Sequence, residues 1–248
     1  MPQIDWLTAR PIAHRGLHDA ANGVIENTAS AFQAAIAGNY AIETDIQISA
    51  DGEAMVHHDD ALGRLTEGSA RLAALSAGEI KAARFKATTD RILTLNELCD
   101  LVAGRVPLVI ELKSHFDGDP RLVQRAAQVL AAYGGPAAVM SFDPYLVETA
   151  RQIAPSLVRG IVAERHYDDH EWHRMKPAEK LNMAFLLHGF RTRPHFVAHG
   201  VKDLPAVAPL IARWVFGLPL LTWTVRSEDD RRTASRWADQ MIFEGWRP

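Results

Sequence analysis

The chain has 248 residues, 48% hydrophobic and 23% charged, with a formal net charge of −3. This excludes a disordered chain and a strongly basic surface for nucleic acid or anionic membrane, and the length suits one α/β barrel or two small domains. The lone cysteine, Cys99, excludes an internal disulfide and reads as a buried thiol.

In chain order, short apolar runs alternate with stretches of helical spacing. Strands are expected over 11–15, 41–48, 53–58, 106–112, 137–142, 158–163, 195–199, 220–225 and 240–243. Helices are expected over 27–37, 95–103, 120–133, 144–153, 204–216 and 228–237, with one long or broken helix over 171–190. That alternation argues for βα units, a largely parallel closed sheet and a single domain over 1–248. One connection breaks the pattern. The link from Ile48 to Ala54 carries Asp51-Gly52, too short for a parallel crossover and typical of a hairpin, so the barrel is expected to be irregular near its second and third strands. No segment has the ~18 apolar residues of a membrane span, and Met1 to Thr8 shows no leader pattern, so a cytoplasmic protein without stable membrane insertion is expected.

Chemistry gathers at the strand ends. On 41–48, Ile42, Thr44, Ile46 and Ile48 share one face, while Glu43, Asp45 and Gln47 share the other. Two carboxylates that close repel, and a divalent cation with a preference for oxygen, Mg²⁺ or Ca²⁺, would relieve them. Taken alone, the segment also fits an exposed edge strand with two solvated acids. The fourth strand, very apolar, ends in Glu111 and Lys113, two apart on one face, where a third metal ligand and a phosphate contact could sit. His14 and His58 follow apolar strands, and histidine as a residue type ordinarily titrates near neutrality, as a general acid or base would. Arg15 offers a planar fork for phosphate oxygens, and Gly16 permits a tight turn. His57 points to the opposite face from His58 and reads as packing, as does His199.

Several short motifs occur in order: His14-Arg15-Gly16, Ile25-Glu26-Asn27-Thr28, Glu43-Thr44-Asp45, Asp51-Gly52, His58-Asp59, Arg64-Leu65-Thr66, Ile92-Leu93-Thr94-Leu95, Glu111-Leu112-Lys113, Ser141-Phe142 and Trp223-Thr224-Val225. Together they resemble the glycerophosphodiester phosphodiesterase family over nearly the whole chain. The resemblance implies an irregular (β/α)8 TIM barrel of the phosphatidylinositol-specific phospholipase C-like type. It implies a divalent metal on Glu43, Asp45 and Glu111, an acid–base pair of His14 and His58, and phosphate contacts from Arg15 and Lys113. It further implies hydrolysis of a small glycerophosphodiester to glycerol 3-phosphate and an alcohol. Glu26 is a candidate contact to the substrate or to its binding residues, Asn27 or Thr28 a helix cap, and Trp223 an apolar wall beside the substrate or a core residue. The segment over 65–91 stands where the family carries a small insertion, expected as a lid containing Phe85. Ile25 and Leu93 each replace a proline of the family pattern, and Phe243-Glu244 stands in place of its Thr-Asp.

Other readings are a lysophospholipase D-like hydrolase of a lipid phosphodiester, a barrel that binds a phosphodiester without cleaving it, and a metal-dependent amide or ester hydrolase. The chain has no Gly-x-Ser-x-Gly elbow to support the last.

Overall fold

The computed structural model describes residues 3–168, 172 and 175–248. Among the described residues nine strands are arranged as expected: β1 (Ile12–Ala13), β2 (Ala41–Ile48), β3 (Ala54–Val56), β4 (Leu108–Leu112), β5 (Ala137–Ser141), β6 (Val158–Ala163), β7 (Phe196–Gly200), β8 (Leu220–Val225) and β9 (Gln240–Phe243). All but β3 run parallel, in the order β1-β9-β8-β7-β6-β5-β4-β2, and pairing of β1 with β2 closes the barrel. The helices are α1 (Ala29–Ala37), α2 (Ala77–Ala82), α3 (Leu95–Val102), α4 (Arg121–Ala132), α5 (Pro144–Ile153), α6 (Pro177–Ala184), α7 (Gly189–Thr192), α8 (Val207–Trp214) and α9 (Glu228–Trp237). Among the described residues, no helix is long and apolar enough to cross a membrane.

Alternation along the strands divides the molecule into two apolar layers. Ile12, Ala41, Val109, Ala138, Phe196, Ala198 and Ile242 line the barrel with Leu7, Met140 and Leu221. Their neighbours Ala13, Ile42, Leu108, Ile110 and Val139 point outward against α1, α3 and α4. The lining is fitted closely. Gly160 faces inward, and a Cβ there would lie 2.3 Å from the ring of Phe196, which is fully buried.

The irregularity forecast at Asp51-Gly52 is an antiparallel hairpin, with Ile46 opposite Val56 and Ile48 opposite Ala54. β3 occupies the upper edge of β2, leaving only Ala41 and Ile42 to pair with β1. That is one reason β1 is two residues long rather than the five expected. The other is Arg15, whose φ of 55° starts a left-handed turn completed by Gly16 at 80°. A Cβ on Gly16 would also lie 2.9 Å from the backbone of Ala31.

Between β3 and α3 the chain builds a small separate core from Ile25, Met55, Leu72, Ile80, Phe85 and Ile92. A capping box of Ser76 and Glu79 starts α2, and Thr66 bridges to Phe85. Phe85 is 7% exposed, and its ring packs within this small core. The helix expected over 171–190 is two helices, α6 and α7, separated near Leu186 at φ 55°. Glu171, His173 and Arg174 of that expectation lie outside the described residues. The helix expected over 204–216 begins later, at Val207, after Pro205.

Candidate active site

The inward faces of β1, β2, β4 and β9 continue past the apolar layer into charge at the C-terminal ends, where barrel enzymes carry their sites. Asp45 pairs in register with Glu111 across β2 and β4, and Glu43 lies two residues earlier on the same face as Asp45. Oxygens of Glu43, Asp45 and Glu111 all lie within 4.8 Å of one another, and Glu43 and Asp45 are each 1% exposed. The exposed-edge alternative for this strand is therefore ruled out.

The carboxylates have unequal environments. Burial, and then the nearby charges of Asp45 and Glu111, push the Glu43 carboxyl well above its ordinary range. Burial works the same way on Asp45, but Lys113, His58 and Arg15 together hold it far below. Lys113 Nζ lies 2.8 Å from Asp45 Oδ1 and 2.7 Å from Glu111 Oε1. The three carboxyl groups form an all-oxygen donor set in which Glu43 resists a further negative charge beside Asp45 and Glu111, and such a set fits a hard divalent cation.

Asn27 braces this group from the loop after β1. Its φ is 56°, its Nδ2 donates to Asp45 Oδ2 at 2.9 Å, and its Oδ1 accepts from Thr44 Oγ1 at 2.7 Å. The helix cap is its neighbour Thr28, whose hydroxyl accepts from the Ala31 amide. Arg15 is fastened on three sides. Its amide donates to Glu43 Oε2 at 3.0 Å, its guanidinium donates to Glu26 Oε1 at 2.7 Å, and its Nε lies 3.3 Å from Asp45 Oδ2. Glu26 also accepts from Arg64 at 2.7 and 3.1 Å. Although burial opposes ionisation, these two arginines hold the Glu26 carboxyl at about 2. Glu26 thus orients Arg15.

Both histidines are held through Nδ1. His14 bonds to Glu244 Oε2 at 2.8 Å, and its Nε2 lies 3.9 Å from Glu43 Oε2. Burial lowers the His14 pKa, while its bond to Glu244 works in the opposite direction. His58 Nδ1 bonds to Asp59 Oδ1 at 2.8 Å, and Arg64 in turn donates to both oxygens of Asp59. The returning hairpin sets His58 beside the site, because its carbonyl accepts from Gln47 on the inward face of β2. His57 is 3% exposed, and burial lowers its pKa. His199 lies on the outward parity of β7, bonded to the carbonyl of Gly200.

The opposite side of the mouth is aromatic. Trp223 on β8 meets Phe142 edge to face at 5.6 Å, and Phe142 meets Trp172 at 5.1 Å. The buried indole N–H of Trp223 has no hydrogen-bond partner among the described residues. Asn27, Asp59, Arg64 and Glu244 were not singled out by sequence reasoning as site residues. All four lie in or beside quoted motifs, but only the fold shows whom they bond.

The family model described as the glycerophosphoryl diester phosphodiesterase family matches residues 14–245. A glycerophosphodiester phosphodiesterase of Caldanaerobacter subterraneus subsp. tengcongensis is 31% identical over 246 residues, covering 94% of this chain and 93% of that protein. Among solved structures, an Oleispira antarctica phosphodiesterase in complex with the product sn-glycerol-3-phosphate superposes with a TM-score of 0.76 at 19% identity, covering 94% of this chain and 91% of that one. A glycerophosphodiester phosphodiesterase of Thermotoga maritima gives 0.70 at 21% identity, covering 94% and 92%. With a barrel of the same fold and a family match across nearly its full length, the chain belongs to the glycerophosphoryl diester phosphodiesterase family, enzymes that hydrolyse phosphoric diesters.

Proposed function

We propose that this protein hydrolyses a small glycerophosphodiester to glycerol 3-phosphate and an alcohol, using His14 and His58 as the proton-transfer pair and a divalent cation held by Glu43, Asp45 and Glu111. The observation that carries this reading is the pairing of each histidine Nδ1 with a carboxylate beside the three-carboxylate cluster. An ionised carboxylate only accepts, so each Nδ1 carries the proton and each Nε2 is left to exchange one. The whole chain, 1–248, is read as one catalytic unit with its insertion near 65–91.

In this mechanism Arg15 and Lys113 bind the phosphoryl oxygens and Glu26 keeps Arg15 in place. Bound Mg²⁺ or Ca²⁺ would offset negative charge on the phosphoryl group as it reacts. One histidine takes the proton from the attacking hydroxyl at Nε2, and the other delivers a proton to the departing alcohol oxygen. The attacking hydroxyl is the one next to the phosphate on glycerol. Its attack gives a cyclic phosphate, and water then opens the ring with the histidine roles reversed. Trp223 and Phe142 supply an apolar wall for the organic part of the substrate.

The test is release of glycerol 3-phosphate from glycerophosphocholine and glycerophosphoethanolamine, first with EDTA and then with Mg²⁺, Ca²⁺ or Mn²⁺ restored. Release that returns with metal supports the proposal, and release indifferent to EDTA removes the cation from it. No release under any condition would sink the substrate assignment and favour a lipid phosphodiester or a non-catalytic barrel.

A further inference from the structure

We infer that Glu244, clamped by Arg226, is the positioning residue that fixes the ring of His14. The inference rests on the reading of His14 as a proton-transfer group.

The placement follows from the register that closes the barrel. Ile12 on β1 pairs with Ile242 on β9. Two residues further along each strand, on the same inward face, stand His14 and Glu244. The His14 amide donates to the Phe243 carbonyl at 2.9 Å, which holds the two backbones together at this level. The side chains then meet at 2.8 Å, Nδ1 to Oε2. Because the carboxylate can only accept, it selects the tautomer with hydrogen on Nδ1 and fixes the ring's rotation. The free Nε2 is turned toward Glu43 at 3.9 Å.

Glu244 is itself held by cationic and imidazole groups. Arg226 donates to the same Oε2 at 2.9 Å, and His18 Nε2 lies 3.8 Å from Oε1. The bond from His14 leads the influences that bring the Glu244 carboxyl down to about 2. Glu244 is not one of the converging carboxylates, which are Glu43, Asp45 and Glu111. It acts on the ring rather than on a cation.

The neighbouring residue gives the pair its logic. Phe243 points the other way and is 1% exposed, with Tyr40 at 5.0 Å and Trp246 at 6.1 Å between ring centroids. Aromatic packing outside the barrel thereby pins β9, while the longer carboxylate inside spans from Arg226 to His14. Phe243-Glu244, the departure from the family's Thr-Asp, works as one unit. The same arrangement occurs independently at the other histidine, where Asp59 takes Nδ1 of His58 and Arg64 takes Asp59.

Steady-state kinetics on glycerophosphocholine at saturating metal, with Glu244→Ala, Glu244→Gln, Glu244→Asp and His14→Ala, test this. Glu244→Ala should lower kcat about 10- to 100-fold, the usual loss when an orienting partner of a site histidine is removed, with KM and metal affinity by calorimetry unchanged. Glu244→Gln, which keeps the shape and loses the charge, should also lower kcat, and Glu244→Asp should recover part of the loss. Wild-type kcat in Glu244→Gln, or in a folded Glu244→Ala, alongside an inactive His14→Ala would overturn the inference. So would a loss confined to KM or to metal affinity. An active His14→Ala would instead overturn the assignment of His14 on which the inference stands.

Discussion

Asn27 Nδ2 donates to Asp45 Oδ2 at 2.9 Å while the other end of the same amide accepts from Thr44 Oγ1 at 2.7 Å. A loop residue in the left-handed region therefore fixes the angle of a carboxylate in the buried cluster. Asn27→Ala should weaken divalent-cation binding about 10- to 100-fold, as loss of a hydrogen bond to a metal ligand does elsewhere. It should also destabilise the fold by about 1–2 kcal/mol, because alanine tolerates φ near 56° poorly. Calorimetric titration with Mn²⁺ and urea unfolding read the two effects separately, and unchanged cation binding would remove Asn27 from the site.

Glu43→Gln should lower cation affinity by taking one of the three charges from the cluster. It also relieves a carboxyl that burial and two like charges hold well above its ordinary range. Without metal, the variant should accordingly be no less stable than the parent. A thermal melt in EDTA, paired with calorimetry in metal, checks both halves. A clear loss of stability in EDTA would contradict the electrostatic account.

Gly160→Ala should destabilise the barrel by about 1–3 kcal/mol, the usual cost of overpacking a filled core. The new methyl would meet the Phe196 ring at 2.3 Å, and that ring is fully buried. Adding Phe196→Leu should restore part of the loss, and a double-mutant cycle in urea would measure the coupling. Strict additivity would mean that the two positions do not compete for the same space.

Acid should loosen the face around α7. Burial lowers His188 to about 4 and His195 to about 4, both well below the ordinary histidine value. In the unfolded chain each takes up a proton near pH 6.5, while in the fold each resists it. Stability is therefore full above pH 6.5, falls as the pH drops toward 4, and levels off below that as far as these groups are concerned. His188→Gln should flatten this decline in urea midpoints measured from pH 7 to 4.5. An unaltered slope would show that His188 does not titrate with unfolding.

Much of this architecture was legible in advance because buried parallel strands and amphipathic helices have different periods. β2, β6, β8, β9, α5 and α9 begin and end where the patterns do. The hairpin was legible from the short connection and its Asp51-Gly52 turn. β1 was read too long, because its partner's edge is taken by β3, and nothing local in 11–15 reports a competitor 40 residues away. Glu43, Asp45 and Glu111 could be read from alternation and do converge. Arg64 and Glu244 could not, since their partners, Glu26 and His14, are joined to them only by tertiary folding.

The bond between His14 and Glu244 ties together residues 230 positions apart. During synthesis His14 leaves the ribosome long before Glu244, and its ring has no anchor until β9 has emerged and docked on β1. The carboxylate cluster, Arg15, Lys113 and His58 with its partners Asp59 and Arg64 come from residues 14–113, whereas Arg226, like Glu244, comes from much later in the chain. The carboxylate cluster thus draws on one early stretch of chain, whereas fixing His14 waits for β9, the strand whose pairing with β1 also helps close the barrel.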